Sequence, residues 1–424
     1  MTYADAIAYL QSLGQFGMVL GLDRIKQLSE LAGNPHQDLR FVHVAGTNGK
    51  GSTCAFLESI FRRAGYRTGL YTSPHLVSFT ERIQLNRQSI SEEQVVDLVI
   101  RLKPLAENLG ATNQPTFFEF VTLMALCHFS QEQPDIVIWE TGLGGRLDAT
   151  NIVTPLLSVI TNVQADHEQW LGQTLPEIAR EKAGIIKPKV PVVIGTVPDD
   201  IHQVLKEVAE SNEAPFSICN VDWVQSLGWF KDVHLPLKGS HQRFNAALAV
   251  KAVLALEQNF PINSVDLQLG LEATQWSGRF QMVSTGKGRQ LLLDGAHNPA
   301  GVQALCRTVG EEFVDQEITL VMGMLQDKDW RPMALELAAI AHRIITVDVP
   351  NPRTVPAFQL AEYLRPHFPD CSVEPMESID QVLAATEKDP VTLVSGSLYL
   401  IGATIAFLQQ SPAHHELNHW KVPI

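Results

Sequence analysis

The chain has 424 residues, of which 45% are hydrophobic and 18% charged, and its formal net charge is −14. The length exceeds that of one typical domain and the composition is ordinary for a globular protein, so we expect an enzyme of two domains. Because the charge is negative and no run of Lys and Arg occurs, we expect neither nucleic acid nor a membrane as a partner, and five scattered cysteines without CxxC spacing indicate reduced thiols and the cytoplasm.

The first predicted strand, residues 40–45, runs directly into a glycine-rich loop, GTNGKGST, at residues 46–53. Glycines let backbone N–H groups approach a polyphosphate, Lys50 supplies a positive charge, and Ser52 or Thr53 offers a hydroxyl to magnesium at a helix N-terminus. The loop departs from the common Walker pattern, because a glycine follows the lysine where Ser or Thr is usual. A turn without a ligand is the alternative, but a lysine in a tight loop has no packing role, so we predict nucleotide binding.

Further apolar runs alternate with helical patterns on both sides of a polar stretch at residues 284–289. Those before it lie at residues 68–72, 135–140, 156–162 and 191–195, and those after it at residues 290–294, 318–322, 343–348 and 391–395. This alternation is typical of mostly parallel sheets with crossover helices. The predicted fold is therefore of the α/β class, and its parts are a P-loop-type ATPase domain with a mostly parallel sheet (residues 1–284), a linker (285–289) and a smaller Rossmann-like α/β domain (290–424).

Reactive side chains stand where these strands are predicted to end. Ser73 follows the second strand, Glu140 ends the third, and His167 follows the fourth. Each has an ordinary alternative, since the serine could begin a prolyl turn, the glutamate could be a salt-bridge partner and the histidine could be structural. Because the carboxyl ends of parallel strands meet at one edge of a sheet, the three together predict a magnesium site. Lys182, in the helical stretch that follows, would alone be a solvated helix lysine.

Short motifs follow one another along nearly the whole chain. They are GTNGKGS at 46–52, TSPHL at 72–76, FTERI at 79–83, FFEF at 117–120, ETGLGGRLDATN at 140–151, DH at 166–167, EKAGIIK at 181–187, GRFQ at 278–281, DGAHNP at 294–299 and VSGSLYL at 394–400. In these motifs the chain resembles the folylpolyglutamate synthase and dihydrofolate synthase family of the Mur ligase superfamily. One motif alone would be weak evidence, but the ordered set is highly specific.

The resemblance implies an ATP-dependent amide ligase of the kind that joins L-glutamate to a folate. ATP phosphorylates the folate carboxylate, because a carboxylate is a poor acyl donor until its oxygen becomes a leaving group, and the glutamate amine then displaces phosphate. The implied co-substrate is ATP and the implied metal is magnesium, as two ions, with a monovalent cation left open. The implied partners are dihydropteroate, tetrahydrofolate and L-glutamate, bound by a monomer that closes to exclude water.

The resemblance also implies roles for individual residues. The ATP contacts would be Gly49, Lys50, Gly51, Ser52, Asn245, Arg279 and Asp294. The magnesium ligands would be Ser52, Ser73, Glu140 and His167. The catalytic residues would be Lys50, His167 and Lys182, the last as a carbamate, which turns a cation into an anion able to face magnesium. Glutamate would be held by His297 and Ser397, and dihydropteroate by Leu20, Gly21, Leu22, Phe118, Arg146, Leu147 and Asp148.

Alternatives stay open for the chain as a whole. Within the family it could be a bifunctional enzyme, which we prefer, or a folylpolyglutamate synthase that lacks the dihydropteroate activity. A cell-wall Mur ligase is more distant, because the GTNGKGS and TSPHL motifs fit the folate branch better. A nucleotide-binding switch or a kinase would need neither a second domain nor Lys182. For Phe118 the alternative to stacking on a flat ring is a place in the core, since FFEFVTLMAL reads as a buried helix.

Overall fold

The computed structural model describes residues 1–16, 20–110, 113–284 and 290–410, and these residues form an eight-stranded and a six-stranded sheet. The strands of the first sheet are β1 (Phe41–Ala45), β2 (Thr68–Tyr71), β3 (Ile83–Leu85), β4 (Gln88–Ser89), β5 (Ile136–Glu140), β6 (Leu157–Ile160), β7 (Val192–Ile194) and β8 (Phe216–Ile218). Their spatial order is β4-β3-β2-β5-β1-β6-β7-β8, and all neighbours are parallel except the pairs β2–β3 and β3–β4. The predicted mostly parallel sheet is confirmed.

The second sheet is smaller and also mostly parallel. Its strands are β9 (Gln281–Ser284), β10 (Gln290–Leu293), β11 (Ile318–Met322), β12 (Arg343–Val347), β13 (Ser372–Met376) and β14 (Val391–Ser395). They lie in the order β13-β12-β11-β14-β10-β9, with only β9 antiparallel to its neighbour. The fold class predicted for both domains is therefore confirmed.

The boundary predicted between the domains is wrong by a few residues. The sequence predicts residues 281–284 in the first domain and a linker at 285–289, but β9 pairs with β10 in the second sheet. Residues 285–289 lie outside the described residues, and the strands on either side of them belong to one sheet. The chain passes from the first domain to the second between residues 273 and 280, after the last helix of the first domain.

Helices cover both faces of the two sheets. Those of the first domain are α1 (Tyr3–Ser12), α2 (Asp23–Leu31), α3 (Lys50–Arg63), α4 (Glu92–Glu107), α5 (Phe117–Glu132), α6 (Glu168–Leu171), α7 (Leu175–Ala183), α8 (Asp199–Ser211), α9 (Val221–Ser226), α10 (Ser240–Ala255) and α11 (Ser264–Glu272). Those of the second are α12 (Pro299–Glu312), α13 (Trp330–Ala338), α14 (Ala357–Leu364), α15 (Ile379–Ala385) and α16 (Leu398–Gln410). Within the described ranges, none of these helices combines the length and the apolar character that crossing a bilayer requires.

The central strand β1 is buried on both faces. Val42 and Val44 point into one apolar cluster, which includes the buried side chains of α3, whereas Phe41 points into the other, beside Trp139. Burial on both sides explains why this strand is apolar at every position except His43. Because β5 lies on one side of β1 and β6 on the other, their carboxyl ends enclose a crevice, which is where open α/β sheets bind ligands.

Glycine allows the last helix of the second domain to contact the first domain. Leu76 packs against an apolar cluster of the second domain that contains Ile401 and Ile405 of α16. A Cβ atom at Gly402 would overlap the carbonyl oxygen of Leu76. The α16 backbone and the 72–78 loop are therefore closer than any larger residue at position 402 would permit.

This close approach predicts the effect of two matched substitutions. We expect Gly402→Ala to lower the free energy of unfolding by about 1–3 kcal/mol, the usual cost of overpacking. Gly310→Ala in α12 is the control, because an added Cβ there meets nothing within 4 Å. It should raise helix stability by about 0.5–1 kcal/mol. Thermal unfolding of the two variants tests this, and equal effects would show that the α16 contact is not tight.

Candidate active site between the two domains

A cavity of about 630 Å³ lies between the domains at the carboxyl edge of the first sheet, and its volume is in the range of small-molecule sites. Both domains contribute to its wall. The lining residues that the sequence analysis named are Gly49, Lys50, Gly51, Ser52, Ser73, Glu140, His167, Lys182, Asn245, Arg279, Asp294 and His297. The structure thus brings together the predicted phosphate, metal and catalytic residues, although they are far apart in the sequence.

The glycine-rich loop has the predicted strand–loop–helix geometry. Helix α3 begins at Lys50, directly after Gly49, whose φ of +79° is a conformation that favours glycine. The Lys50 ammonium donates hydrogen bonds to the carbonyl oxygens of Gly46 and Thr47, at 3.0 and 3.1 Å. The Thr53 hydroxyl is buried and has no hydrogen-bond partner in the described structure. The loop therefore places the positive charge of Lys50 and the N-terminus of α3 at the cavity, where a phosphate would lie, whereas the Thr53 hydroxyl is outside the cavity lining.

Glu140 and Ser73 meet at the ends of β5 and β2. The Oε2 atom of Glu140 accepts a hydrogen bond of 3.0 Å from the backbone N–H of Ser73, and the carboxyl group is only 3% exposed. Burial raises the pKa of Glu140 to about 7, although the charge of Lys50 opposes this shift. In the described part of the structure Glu140 forms no ion pair, so the salt-bridge interpretation of this residue is not supported.

Two residues of the second domain that the sequence analysis missed reach across the cavity. The Lys328 ammonium lies 2.8 Å from Oδ1 of Asp166 and 3.4 Å from Nε2 of His167. Burial acts to raise the pKa of Asp166, but the hydrogen bond and charge of Lys328 outweigh it and hold that pKa well below its usual value. Asn298 exchanges hydrogen bonds with Asn48 of the glycine-rich loop, at 2.9 and 3.3 Å. These contacts tie the second domain to the phosphate loop.

Lys182 is buried in α7, so the alternative interpretation, a solvated helix lysine, is wrong. It is 2% exposed, and its ammonium group has no hydrogen bond or ion pair among the described residues. Burial, helped by the charge of Lys50, lowers its pKa to about 7. A substantial fraction of this amine is therefore uncharged near neutral pH.

The remaining ATP candidates lie on the walls of the cavity. A Cβ atom added to Gly49 would overlap the side-chain amide of Asn245 in α10, so this amide touches the phosphate loop. Both carboxylate oxygens of Asp294 accept backbone hydrogen bonds, from Phe280 at 2.8 Å and from Ala296 at 2.9 Å. Burial raises the pKa of Asp294, against the charge of nearby Arg279.

The two glutamate candidates differ in position. His297 lines the cavity, and its Nδ1 atom lies 2.7 Å from the carbonyl oxygen of Gly295, to which it donates as the neutral ring. Burial lowers the pKa of His297 to about 4, so its Nε2 atom is an acceptor near neutral pH. Ser397 is buried outside the cavity lining, and its hydroxyl accepts a hydrogen bond of 3.2 Å from the backbone N–H of Tyr399.

The pterin candidates are not among the residues that line the cavity. The Phe118 ring lies against Gly142, a cavity residue, where an added Cβ would come within 2.5 Å of the ring. Arg146 is paired with Glu181 at 2.7 Å. Asp148 is buried and accepts hydrogen bonds from the 143 backbone N–H and from Thr150, so it shapes the loop. Leu20, Gly21, Leu22 and Leu147 are only partly buried.

The site offers few metal ligands of its own. Over the described ranges, no group of three or more His, Cys, Asp and Glu side chains is arranged to hold a metal ion. Among the predicted magnesium ligands, the oxygen donors are the Glu140 carboxylate and the hydroxyls of Ser52 and Ser73, all on the cavity wall. Magnesium usually keeps several waters and takes one or two carboxylates together with substrate phosphates. The donor set therefore fits magnesium that arrives with a nucleotide.

Comparisons with known proteins agree with this architecture. Residues 44–253 match the Mur ligase middle domain, and residues 278–398 match the glutamate ligase domain of Mur ligases. A dihydrofolate synthase/folylpolyglutamate synthase of Bacillus subtilis is 38% identical over 94% of this chain and 97% of its own. The crystal structure of a Thermotoga maritima folylpolyglutamate synthase has a TM-score of 0.85 at 35% identity, covering 98% of this chain and 99% of that one. Escherichia coli FolC in complex with DHPP and ADP also has a TM-score of 0.85, at 30% identity, covering 96% and 98%.

The contact between Lys328 and Asp166 predicts coupling across the domain interface. We expect Lys328→Met and Asp166→Asn each to lower the free energy of unfolding by about 1–3 kcal/mol, the range for hydrogen bonds to charged groups. The double variant should lose less than the sum, because the second substitution removes a partner that is already lost. A double-mutant cycle measured by urea unfolding tests this.

Arg353→Met is the matched control for that cycle. Arg353 forms an ion pair of 2.8 Å with Asp327, next to Lys328, but both side chains are more than a third exposed. Its removal should change stability by no more than about 0.5 kcal/mol. Strictly additive effects of the Lys328 and Asp166 substitutions would mean that the pair does not hold the domains together.

Proposed function

Because the chain belongs to the Mur ligase family that contains dihydrofolate synthases and folylpolyglutamate synthases, we propose that it is an ATP-dependent ligase that joins L-glutamate to pterin acids. The preferred form is bifunctional, making dihydrofolate from dihydropteroate and extending tetrahydrofolate. The observation that carries the proposal is the pairing of Asn48 with Asn298, which places the glycine-rich loop of one domain against the 294–298 segment of the other. A nucleotide switch needs no such second wall. Kinases also close over ATP, but the second wall of this chain matches the glutamate ligase domain of Mur ligases.

The reaction has two steps that the cavity suits. A carboxylate oxygen of the pterin acid attacks the γ-phosphorus of ATP, and ADP leaves. The glutamate amine then attacks the acyl carbon, and phosphate leaves as the amide forms. Lys50 and the N–H groups at the start of α3 are placed to stabilise the negative charge on the transferred phosphoryl group. Closure of the second domain over this point keeps water from the acyl phosphate.

Magnesium fits the proposed site as an ion shared with ATP. Ser52, Ser73, Glu140 and His167 are the residues that would hold it, and a second ion and a monovalent cation remain part of the proposal. Bound there, magnesium offsets the repulsion between two reacting anions. Burial lowers the pKa of His167, so its ring is neutral and can act as a ligand, although Nε2 now lies 3.4 Å from the Lys328 ammonium. For His167 to bind magnesium, substrate binding has to displace Lys328.

The proposed substrate contacts combine the family resemblance with the positions of these residues. We assign ATP to Gly49, Lys50, Gly51, Ser52, Asn245, Arg279 and Asp294, and glutamate to His297, with Ser397 supporting the loop beside it. The pterin ring is assigned to Phe118 and the surrounding residues Leu20, Gly21, Leu22, Arg146, Leu147 and Asp148. Phe118 reaches the cavity only through Gly142, so opening of that wall must accompany pterin binding. The active enzyme is proposed to be a monomer in the cytoplasm.

One panel of assays tests the proposed function. We expect the purified protein to form dihydrofolate from dihydropteroate, L-glutamate and ATP, and also to add glutamate to tetrahydrofolate. ADP release should require both a pterin acid and glutamate for full rate, because the acyl phosphate is consumed only by the amine. If only tetrahydrofolate is extended, the enzyme is a monofunctional folylpolyglutamate synthase. ADP release that ignores both substrates would contradict ligase function altogether.

Lys182 is proposed to act as a carbamate. The lone pair of its uncharged amine attacks the carbon of CO₂, an N–C bond forms, one C–O π pair moves to oxygen, and a proton is released to solvent. A pKa of about 7 leaves enough uncharged amine for this step near neutral pH. The product is an anion close to Lys50, whose charge disfavours an ammonium and favours a carbamate at the same position.

Substitution of Lys182 tests the carbamate. We expect Lys182→Ala to be nearly inactive and to recover part of its rate with formate or acetate, which can occupy the vacated anion position. Lys182→Arg should gain nothing from these anions, since its fixed positive charge remains. Lys187→Ala, nearby in the chain, is the control and should show no rescue. Full activity of Lys182→Ala without added anion would remove this residue from the site.

A further inference from the structure

A second cavity, of about 210 Å³, lies beside the first and shares Glu140 and Ser73 with it. Its wall combines the apolar side chains of Leu76, Trp276 and Ile405 with charged groups, and both domains and the segment that connects them contribute to it. A molecule in this cavity would lie next to the point where the acyl phosphate is proposed to form. The cavity is large enough for a glutamyl group and too small for a nucleotide.

Arg87 is a cation in the wall of this second cavity, and it stands in an unusual turn. Residues 86 and 87 connect β3 to β4, and their φ angles are +47° and +69°. A two-residue hairpin turn of this kind favours Asn followed by Gly, because both positions are left-handed. The first position is Asn86, but the second is an arginine, which costs conformational energy there. A strained arginine at the edge of a cavity is a reason to ask what its side chain binds.

The Arg87 guanidinium is held in place but is not neutralised. It lies over the Trp276 ring, 5.2 Å from the centroid, and donates hydrogen bonds to the carbonyl oxygen of Gln275 and, at 3.5 Å, to Oε1 of Gln84. No carboxylate pairs with it in the part of the chain that the structure describes. Burial lowers the pKa of Arg87, and the charge of Glu58, which is itself paired with Arg62 at 2.8 Å, only partly opposes this shift.

The other carboxylate of the cavity wall, besides Glu140, cannot neutralise Arg87. Glu81 accepts hydrogen bonds from the backbone N–H groups of residues 76, 77 and 78, at 2.7 to 2.9 Å. Its two oxygens are thereby committed to the 72–78 loop. Trp276, on which Arg87 lies, is itself fixed against the phosphate loop, since an added Cβ at Gly51 would come within 2.8 Å of its ring. The position of the cation is therefore set relative to the reaction centre.

We propose that Arg87 binds a carboxylate of a glutamyl group that takes no part in bond formation, and so selects substrates by that carboxylate. The proposal rests on the proposed ligase function. Two sources supply this chemistry: the incoming L-glutamate, and the terminal glutamyl residue of a folate. Dihydropteroate carries no glutamyl residue, so the two proposed reactions of the enzyme separate the sources. A bidentate pair between a guanidinium and a carboxylate suits a half-buried arginine of this kind.

The experiment compares wild type with Arg87→Gln, Arg87→Gly and Arg87→Lys in both reactions. Arg87→Gly removes the charge and also relieves the left-handed turn, so its melting temperature should equal or exceed that of wild type. We expect loss of the guanidinium to raise the affected KM by about tenfold or more, the effect of losing a charged hydrogen bond, while kcat changes less. Arg87→Lys should retain part of the affinity. Arg63→Gln, at an exposed position of the same domain, is the control and should match wild type.

The pattern of KM values identifies the source of the carboxylate. A raised KM for L-glutamate in both reactions assigns the incoming amino acid, whereas a raised KM for tetrahydrofolate with an unchanged dihydropteroate reaction assigns the terminal glutamyl residue. Unchanged KM values, or a fall in kcat and melting temperature in both reactions without a change in KM, would overturn the proposal and leave Arg87 as a clamp on residues 275 and 276.

Failure of the proposed function would be seen separately. If wild type ligates neither substrate, the ligase proposal is wrong, and binding still decides the role of Arg87. Calorimetric titration of L-glutamate and of tetrahydrofolate into wild type and Arg87→Gln would then be compared. Equal affinities in the two proteins would overturn the carboxylate assignment, and weaker binding by the variant would support it.

Discussion

The candidate site depends on the burial of charged groups that do not neutralise one another. Burial raises the pKa of Glu140, which is ordinarily acidic, to about 7. It lowers the pKa of Lys182, which is ordinarily basic, to about 7 as well. The charge of Lys50 acts on both groups, and within the described residues its ammonium donates hydrogen bonds only to carbonyl oxygens of its own loop. The protein alone thus stabilises the charged state of neither group well, because desolvation exceeds the available attraction. Charged ligands, such as a polyphosphate and its cation, would stabilise the charged states of these groups.

The second domain supplies contacts that the first domain cannot make with its own residues. Lys328 neutralises Asp166 at the mouth of the cavity, and Asn298 completes the hydrogen bonding of Asn48. Both contacts reach loops that follow strands of the first sheet, so the position of the second domain is coupled to the state of the phosphate loop. Lys328 also lies close to His167, so this lysine has to move before the histidine can bind another group. Closure and ligand binding are in this way parts of one equilibrium.

The sequence predicted the buried parts of the fold much better than its edges. Strands such as β11 and β14 have the predicted limits because they are apolar throughout and covered on both faces. The sequence analysis missed the hairpin strands β3 and β4 and the edge strands β8, β9 and β13. Each has only two to five residues, some of them polar, which is too few to show the alternation of apolar and polar residues that indicates a strand. The mistaken domain boundary follows from missing β9. In the site, several residues named from motifs, such as Lys50, Glu140 and Lys182, line the cavity. Lys328 and Arg87 contact partners distant in sequence, which the sequence of a single chain does not indicate.

The single passage of the described chain between domains, at residues 273–280, has a consequence for the position of the second domain. The second domain is covalently tethered to the first by this segment, and Trp276 within it packs against Gly51 of the phosphate loop. The Asn48–Asn298 amide pair and the Lys328–Asp166 ion pair form between parts of one chain, so they avoid the full entropic cost of bringing two molecules together. An insertion into this one segment would therefore move the second domain relative to the first and would also displace Trp276 and Arg279, which line the cavities.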